Sequence, residues 1–465
     1  MKINWGGNTV LTVYTEEKIG RKSNFIKIII DPNGEVVSER KVTMPLFQKE
    51  NLGFTYFILY NDKMEPNRIF FEYINYVLQD NPLTTRRASA FALRLLYCFL
   101  SLSNYDIYHL GEKEINELIR FLRGINSNPD VYASQTIRSA STINGYLSCY
   151  RSFFANRHIQ CNALFRSHEV SVSDIDSLGF DTKTLRKRYN NNVKRVNVDQ
   201  RIVPRYISPE VFKKLYVLAM QKNDYVTAVL MHLMYGYGLR PGEALGLTLE
   251  DIQEIEREQG LIPVLILRNR MTDAIYQFAK GLPHVRIQEQ YSNLEFKKAK
   301  WRVQITYDMY EQIVEYIQEV HTDMMKRYPT SYSAGVADRI DTYNPELEQN
   351  HYVFLNRYGR PLSLQTLNNH LKEYFKKLDI PLDSEVRENN LAHRFRHGFA
   401  MFQARFRDHP VNALELQKMM RHSRLKSTMI YYNPTPEDEL QTRTEAQDEL
   451  YAMIPELKKG TTYLD

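Results

Sequence analysis

Apolar and polar positions alternate with a period of two through the first 65 residues. Residues 10–14, 25–30 and 36–44 read as strands, and Pro32-Asn33-Gly34 between the last two reads as a turn. The period then lengthens. Phe70, Tyr73, Ile74 and Val77 fall at i, i+3, i+4 and i+7, the stripe of an amphipathic helix, and further helices are predicted over 85–101 and 112–122. Residues 183–205 carry eight Lys or Arg against one Asp, with Asn190, Asn191 and Asn192 among them. No apolar period runs through this stretch, so it reads as a linker. Beyond it, Ser208-Pro209-Glu210 has the N-cap, N1, N2 order of a helix start. Helices are predicted over 211–221, 224–235 and 310–320, with apolar strands at 262–267 and 302–306. The fold class is mainly α with a small antiparallel β-sheet in the C-terminal half. The expected division is a β-rich module over 1–65, a helical domain over 66–165, a basic linker over 166–205, a mixed domain over 206–435 and a tail over 436–465.

Composition sharpens this picture in two places. A chain of 465 residues that is 43% hydrophobic can build about three cored domains. Its net charge is +6, but residues 435–465 hold eight acidic residues against three basic ones, a balance of −5 that leaves +11 on the rest. A basic body with an acidic tail suits a polyanion-binding body and a tail that docks elsewhere. Cys98, Cys149 and Cys161 form no C-x-x-C pair, which points to a reducing, cytoplasmic setting. No apolar run approaches the ~20 residues needed to cross a bilayer, and the first residues lack a signal-peptide layout, so no membrane partner is expected.

The chemistry concentrates between Leu391 and Pro434. His393, Arg396 and His397 share one helical face, and His422, Tyr431 and Tyr432 follow. A cation beside imidazoles handles an anion better than a metal. A zinc-protease reading would need a Glu directly after the first His, and Arg394 stands there. With 32 tyrosines in the chain, position rather than number must select any reactive one.

The phrase His393-x-x-Arg396-His397, then His422-Ser423, then Tyr431 nine residues after that His, resembles the C-terminal signature of the tyrosine recombinases, the phage-integrase family. Gly238-Leu239-Arg240-Pro241-Gly242-Glu243, about 150 residues upstream, resembles the same family's arginine box. The resemblance covers roughly residues 66–435 and implies a helical core DNA-binding domain followed by a catalytic domain. It implies Tyr431 as nucleophile, forming a covalent 3′-phosphotyrosine, with Arg240 and Arg396 on the non-bridging phosphate oxygens. His393 would take or relay the tyrosine proton, His422 would bond the phosphate, and Glu243 would orient its neighbours. His397 would support the local structure, and Tyr432 would pack. A general-acid lysine belongs on the hairpin before the last strand: position favours Lys297, with Lys298, Lys300 and Lys280 as rivals. No cofactor and no metal are implied. The partners implied are double-stranded DNA, further copies of the chain in a tetrameric synapse, and accessory DNA-bending or directionality proteins. The 1–65 module would bind accessory DNA or serve as a plain structural extension, and the tail, with Leu450, Ile454 and Leu457 spaced for a short helix, would dock on a neighbouring protomer or pack within its own chain. The expected function is integration or excision of a mobile element. A type IB topoisomerase-like relaxing enzyme and a catalytically inactive DNA-binding regulator are the alternatives.

Overall fold

The structure is a computed structural model. It describes residues 11–19, 22–51, 54–124, 137–175, 181–194, 203–258, 260–269, 273, 279, 281–282, 300–333, 336–337, 350–382 and 391–453.

Strands β1 (Leu11–Ile19), β2 (Lys22–Ile30) and β3 (Val36–Val42) form an antiparallel meander, and β4 (Leu46–Asn51) pairs with β5 (Phe54–Leu59). Gly34, at φ +86°, makes the turn into β3 while the Asp31 carboxylate accepts the N–H groups of Asn33 and Glu35. Burial alternates residue by residue along β5, as a strand with one covered face requires. What covers it is helical. Helices α1 (Arg68–Glu72), α2 (Leu83–Ser103), α3 (Glu112–Arg123), α4 (Ala140–Asn156) and α5 (Asn162–Phe165) follow. Tyr14, Phe25, Val42 and Phe57 from the strands join Phe99, Phe121, Leu147 and Phe153 from the helices in one core. The segments 1–65 and 66–165, separate modules in the sequence reading, therefore share a hydrophobic interior.

The expected linker is also structured. Within 166–205, β6 (Ser167–Ile175) and β7 (Asp181–Tyr189) pair antiparallel over nine residues each. Residues 183–188 are exposed on both faces, so the strand buries no apolar stripe and leaves no period to read. The hairpin is rooted on α4: the Arg151 guanidinium lies 3.9 Å over the Tyr189 ring and donates to Asn191 and Asn192. Asn144 and Val193 exchange two further hydrogen bonds.

The C-terminal half has its own core. Helix α6 (Pro209–Gln221) starts at Ser208, whose Oγ accepts the N–H of Val211, and α7 (Tyr225–Gly236) is buried from Thr227 to Tyr235 except at His232. After α8 (Pro241–Leu245), strands β8 (Ile252–Arg257), β9 (Gly260–Leu267) and β10 (Trp301–Gln304) form a sheet in the order β10-β9-β8, antiparallel throughout. Helices α9 (Tyr307–Arg327), α10 (Leu364–Lys377) and α11 (Leu391–Met401) close the domain. Arg86 of α2, fully buried, pairs at 3.0 Å with Asp273, a residue between β9 and β10 in the sequence. The mainly helical class with small antiparallel sheets is borne out. Among the described residues no helix is long and apolar enough to cross a membrane.

The packing of α7 against α11 fixes the site. Gly398 permits it, because a Cβ there would meet the Tyr235 ring at 2.5 Å and the Ile207 carbonyl oxygen at 2.6 Å. Gly398→Ala is accordingly expected to cost about 1–3 kcal/mol through overpacking. The check is a lower urea midpoint at unchanged m.

Candidate active site

Four short elements converge. The turn after α7 carries Gly238 at φ +61°, and a Cβ at that position would lie 2.6 Å from the Phe399 ring of α11. Glycine is thus required twice over, by backbone angle and by space. Arg240 follows in extended conformation as the residue that starts α8. Glu243, one turn into α8, reaches back to accept the Arg240 N–H at 2.8 Å and its Nη1 at 2.5 Å. From α11, Arg396 donates to the carbonyls of Gly238 and Met420 and sits 3.8 Å from Glu243. Helix α12 (Ala413–Met420) ends at Arg421 in the left-handed region, φ +52°. Arg421 donates to Glu243 Oε2 at 2.8 Å and to the Gly238 carbonyl at 2.9 Å. Three guanidinium groups therefore surround one carboxylate whose side chain is 0% exposed.

Tyr431 lies in a one-turn 3-10 helix that follows α13 (Lys426–Met429). Its ring is buried among Phe399, Ala400, Leu416 and Met420, and its hydroxyl is 2.8 Å from Nδ1 of His397. Arg405 clamps the backbone behind it through the carbonyls of Tyr431 and Asn433 and the carboxylate of Asp438, in the first turn of α14 (Pro436–Met453). Tyr432 points elsewhere: its hydroxyl donates to the Val411 carbonyl at 2.6 Å. His422 is 3.0 Å from the Thr428 hydroxyl through Nδ1.

Burial and positive neighbours set the protonation states. Burial pushes His397 down to about 4, helped by His393 and Arg396. Burial likewise brings His422 to about 3, with Arg396 and Arg240 next in effect. Burial raises the Tyr431 phenol to about 12 against the opposing pull of Arg396 and Arg240. Arg396 is lowered to about 9 by burial and by Arg240, and it stays charged at neutral pH. At Glu243 burial works upward, but Arg421, Arg396 and Arg240 outweigh it and hold the carboxyl below its usual value. Near pH 7 the site thus holds neutral imidazoles, a protonated phenol and a net charge of +2 from three cations and one anion.

Of the residues singled out in the sequence, Arg240, Arg396, His422 and Tyr431 gather here. The imidazole at the tyrosine hydroxyl is His397, where the sequence reading looked to His393 and gave His397 a supporting part. The His393 ring stands 6.4 Å from that of His397, edge-on at 84°. Helical spacing puts both rings on one face, and periodicity cannot tell which meets a tyrosine 34 residues later. Lys297, Lys298 and Lys280 lie outside the described residues, and Lys300 directly precedes β10. In the tail, Leu450 lies on α14, while Ile454 and Leu457 are outside the described residues. Arg405 and Arg421 are not singled out by the sequence, because carbonyl and carboxylate partners hold them and leave no apolar pattern. Among the described residues, no three of His, Cys, Asp or Glu are grouped closely enough to hold a metal ion.

The family model described as the phage integrase family matches residues 205–438. Transposase A from transposon Tn554 of Staphylococcus aureus is 23% identical over 357 residues, spanning 75% of this chain and 81% of that protein. Among solved structures, the XerH site-specific recombinase bound to a palindromic difH substrate is 15% identical, with 78% of this chain and 80% of that chain covered and a TM-score of 0.45. The Tn1549 transposon integrase in complex with transposon right-end DNA is 14% identical, with 82% and 99% covered and a TM-score of 0.46.

Proposed function

From the premise that this chain belongs to the phage integrase family, the DNA strand-transferring tyrosine recombinases, we propose that it cuts and rejoins duplex DNA at specific sites through a covalent 3′-phosphotyrosine, in the service of a mobile element. The observation that carries the reading is the Tyr431 hydroxyl, 2.8 Å from a neutral imidazole and set in a pocket of net positive charge. The Tyr431 hydroxyl donates to His397 Nδ1, passes its proton there, and its oxygen attacks phosphorus. The P–O5′ bond breaks, the phosphoryl group stays on Tyr431, and the 5′-oxygen leaves as a hydroxyl, with Lys297 as the proton donor. The reverse attack by another strand's 5′-hydroxyl reseals DNA without an outside energy source. Arg240 and Arg396 fork onto the non-bridging oxygens, where charge grows in the pentacoordinate transition state. His422 donates to the same phosphate, and His393 steadies His397 and relays its proton.

The test is a panel of nicked duplexes tiling the DNA on either side of the chain's own coding sequence. An SDS-resistant protein–DNA adduct on a defined site supports the reading. Specific binding without any adduct would favour a DNA-binding regulator instead.

The proton acceptor makes a pH prediction. His397 has its folded value well below the ordinary 6.5, so its acceptor form is complete at neutral pH and is lost only as pH falls toward about 4. Wild-type cleavage should be nearly flat from pH 6 to 8. His397→Ala should lose about 10²–10³-fold, and its remaining rate should climb with pH as the phenol ionises unaided. Single-turnover rates across pH check both. Stability should follow the same sign: below pH 6.5 the unfolded chain takes up protons that buried His397 and His422 refuse, so the fold weakens as pH falls.

The duplex is also the partner that suits the β6–β7 hairpin, whose exposed Lys183, Lys187 and Arg188 match phosphate charge. A two-stranded ribbon is of a size to enter a major groove. Replacing the three by Gln should lower the slope of log K against log salt by about 2–3, measured by fluorescence anisotropy. Self-association on DNA into a tetrameric synapse, with the tail docking on a neighbouring copy, completes the proposal. Deleting residues 436–465 should then reduce synapse size, read by light scattering.

A further inference from the structure

Arg421 combines three properties that seldom coincide. It is a non-glycine residue at φ +52°. Its side chain is 6% exposed. Its guanidinium donates to the Met419 carbonyl and to the two groups that also hold Arg396, the Gly238 carbonyl and Glu243. A left-handed arginine is strained by its Cβ, a strain that glycine at the same place would avoid. The backbone therefore gives no reason for arginine here, and the reason lies in the side chain.

Charge supplies one. Arg240 contacts Glu243 Oε1, Arg421 contacts Oε2, and Arg396 stands off at 3.8 Å. Without Arg421, two cations face one buried anion and the site carries +1. With Arg421, it carries +2. A phosphodiester carries one negative charge, and the pentacoordinate transition state of its cleavage carries two. An additional fixed cation is thus worth more in the transition state than in the bound ground state.

We infer that Arg421 is a positioning residue of the cleavage reaction: by taking up Glu243 Oε2, the oxygen that Arg396 stands 3.8 Å from, it leaves the Arg396 charge uncommitted for the dianionic transition state while Arg240 stays on Oε1. It acts through Glu243 and Gly238 and does not touch the phosphate. The inference rests on the recombinase reading given above.

The test compares one DNA site in two forms, with an ordinary phosphodiester or with a neutral methylphosphonate at the scissile position. The methylphosphonate removes one negative charge from the transition state, so it should remove the demand for the third cation. Arg421→Gly suits the backbone, and Arg421→Asn, which also accepts left-handed angles, guards against a folding defect in the first variant. Both are expected to cleave the phosphodiester about 10²-fold more slowly than the wild type and the methylphosphonate less than about 10-fold more slowly. Arg421→Lys, which restores charge without the fork, should recover part of the phosphodiester rate. Equal losses on the two substrates would show a merely structural role and overturn the inference. A wild-type chain that forms no adduct with the phosphodiester would bring down the recombinase reading and this inference with it, a different result from equal losses in the variants.

Discussion

Tyr431→Phe is expected to abolish the covalent protein–DNA adduct, with strand cleavage reduced by at least about 10³-fold, because the substitution deletes the atom that forms the new bond in the proposed mechanism. The fold should survive. The phenyl ring keeps its packing on Phe399, Leu416 and Met420, and the hydrogen bond lost to His397 is worth about 1 kcal/mol. Tyr432→Phe is the control that gives this result its meaning. That hydroxyl donates to the Val411 carbonyl, away from the arginines, so its loss should leave adduct formation within a few-fold of the wild type. Adjacent tyrosines of nearly equal chemistry are thus separated by the turn they sit in, with Arg405 holding the backbone so that one ring faces inward. Denaturing gel analysis of both variants on the same nicked duplex checks the pair.

Glu243→Ala should produce the largest loss of stability in the C-terminal half. The carboxylate is fully buried and is the anion shared by Arg240, Arg396 and Arg421. Removing it leaves three cations facing each other across a cavity, and breaking a buried pair in this way costs about 3–5 kcal/mol. The Arg240 N–H, which the carboxylate caps at 2.8 Å, loses its acceptor as well. Urea unfolding followed by tryptophan fluorescence measures the effect, and Trp301 on β10 reports on this domain. Combining Glu243→Ala with Arg421→Gly should cost less than the two changes added together, since the second variant withdraws one of the cations that the first strands. Additive losses would mean that the carboxylate and Arg421 stabilise the fold independently.

What could be read from the sequence follows from which forces leave a pattern. The apolar pattern marks β1 to β3 and helices α2, α3, α6 and α7, the helices because burial imposes a period or an apolar run on them, and it marks neither β4 nor β5. Assembly into a single N-terminal core leaves no such mark, since a buried face on β5 says nothing of which helix covers it. The β6–β7 hairpin is invisible for the opposite reason: Lys183 to Arg188 are exposed on both sides, so cross-strand pairing holds the ribbon without any apolar alternation. At the site, Arg240, Arg396, His422 and Tyr431 are legible through spacing that resembles a known family, and the family itself is now shown. The choice between His393 and His397 at the tyrosine depends on a contact between α11 and a 3-10 turn 34 residues on. Arg421 depends on a carboxylate 178 residues upstream. Neither distance is written in local periodicity.

The most direct measurement is mass-spectrometric mapping of the adduct itself. Wild-type chain trapped on a nicked duplex would be digested with nuclease and protease, and the peptide retaining a nucleotide remnant sequenced. The remnant is expected on Tyr431, linked through the 3′-phosphate of the cleaved strand, as cleavage by that hydroxyl demands. A remnant on Tyr432 or any other side chain, or one linked through a 5′-phosphate, would contradict it.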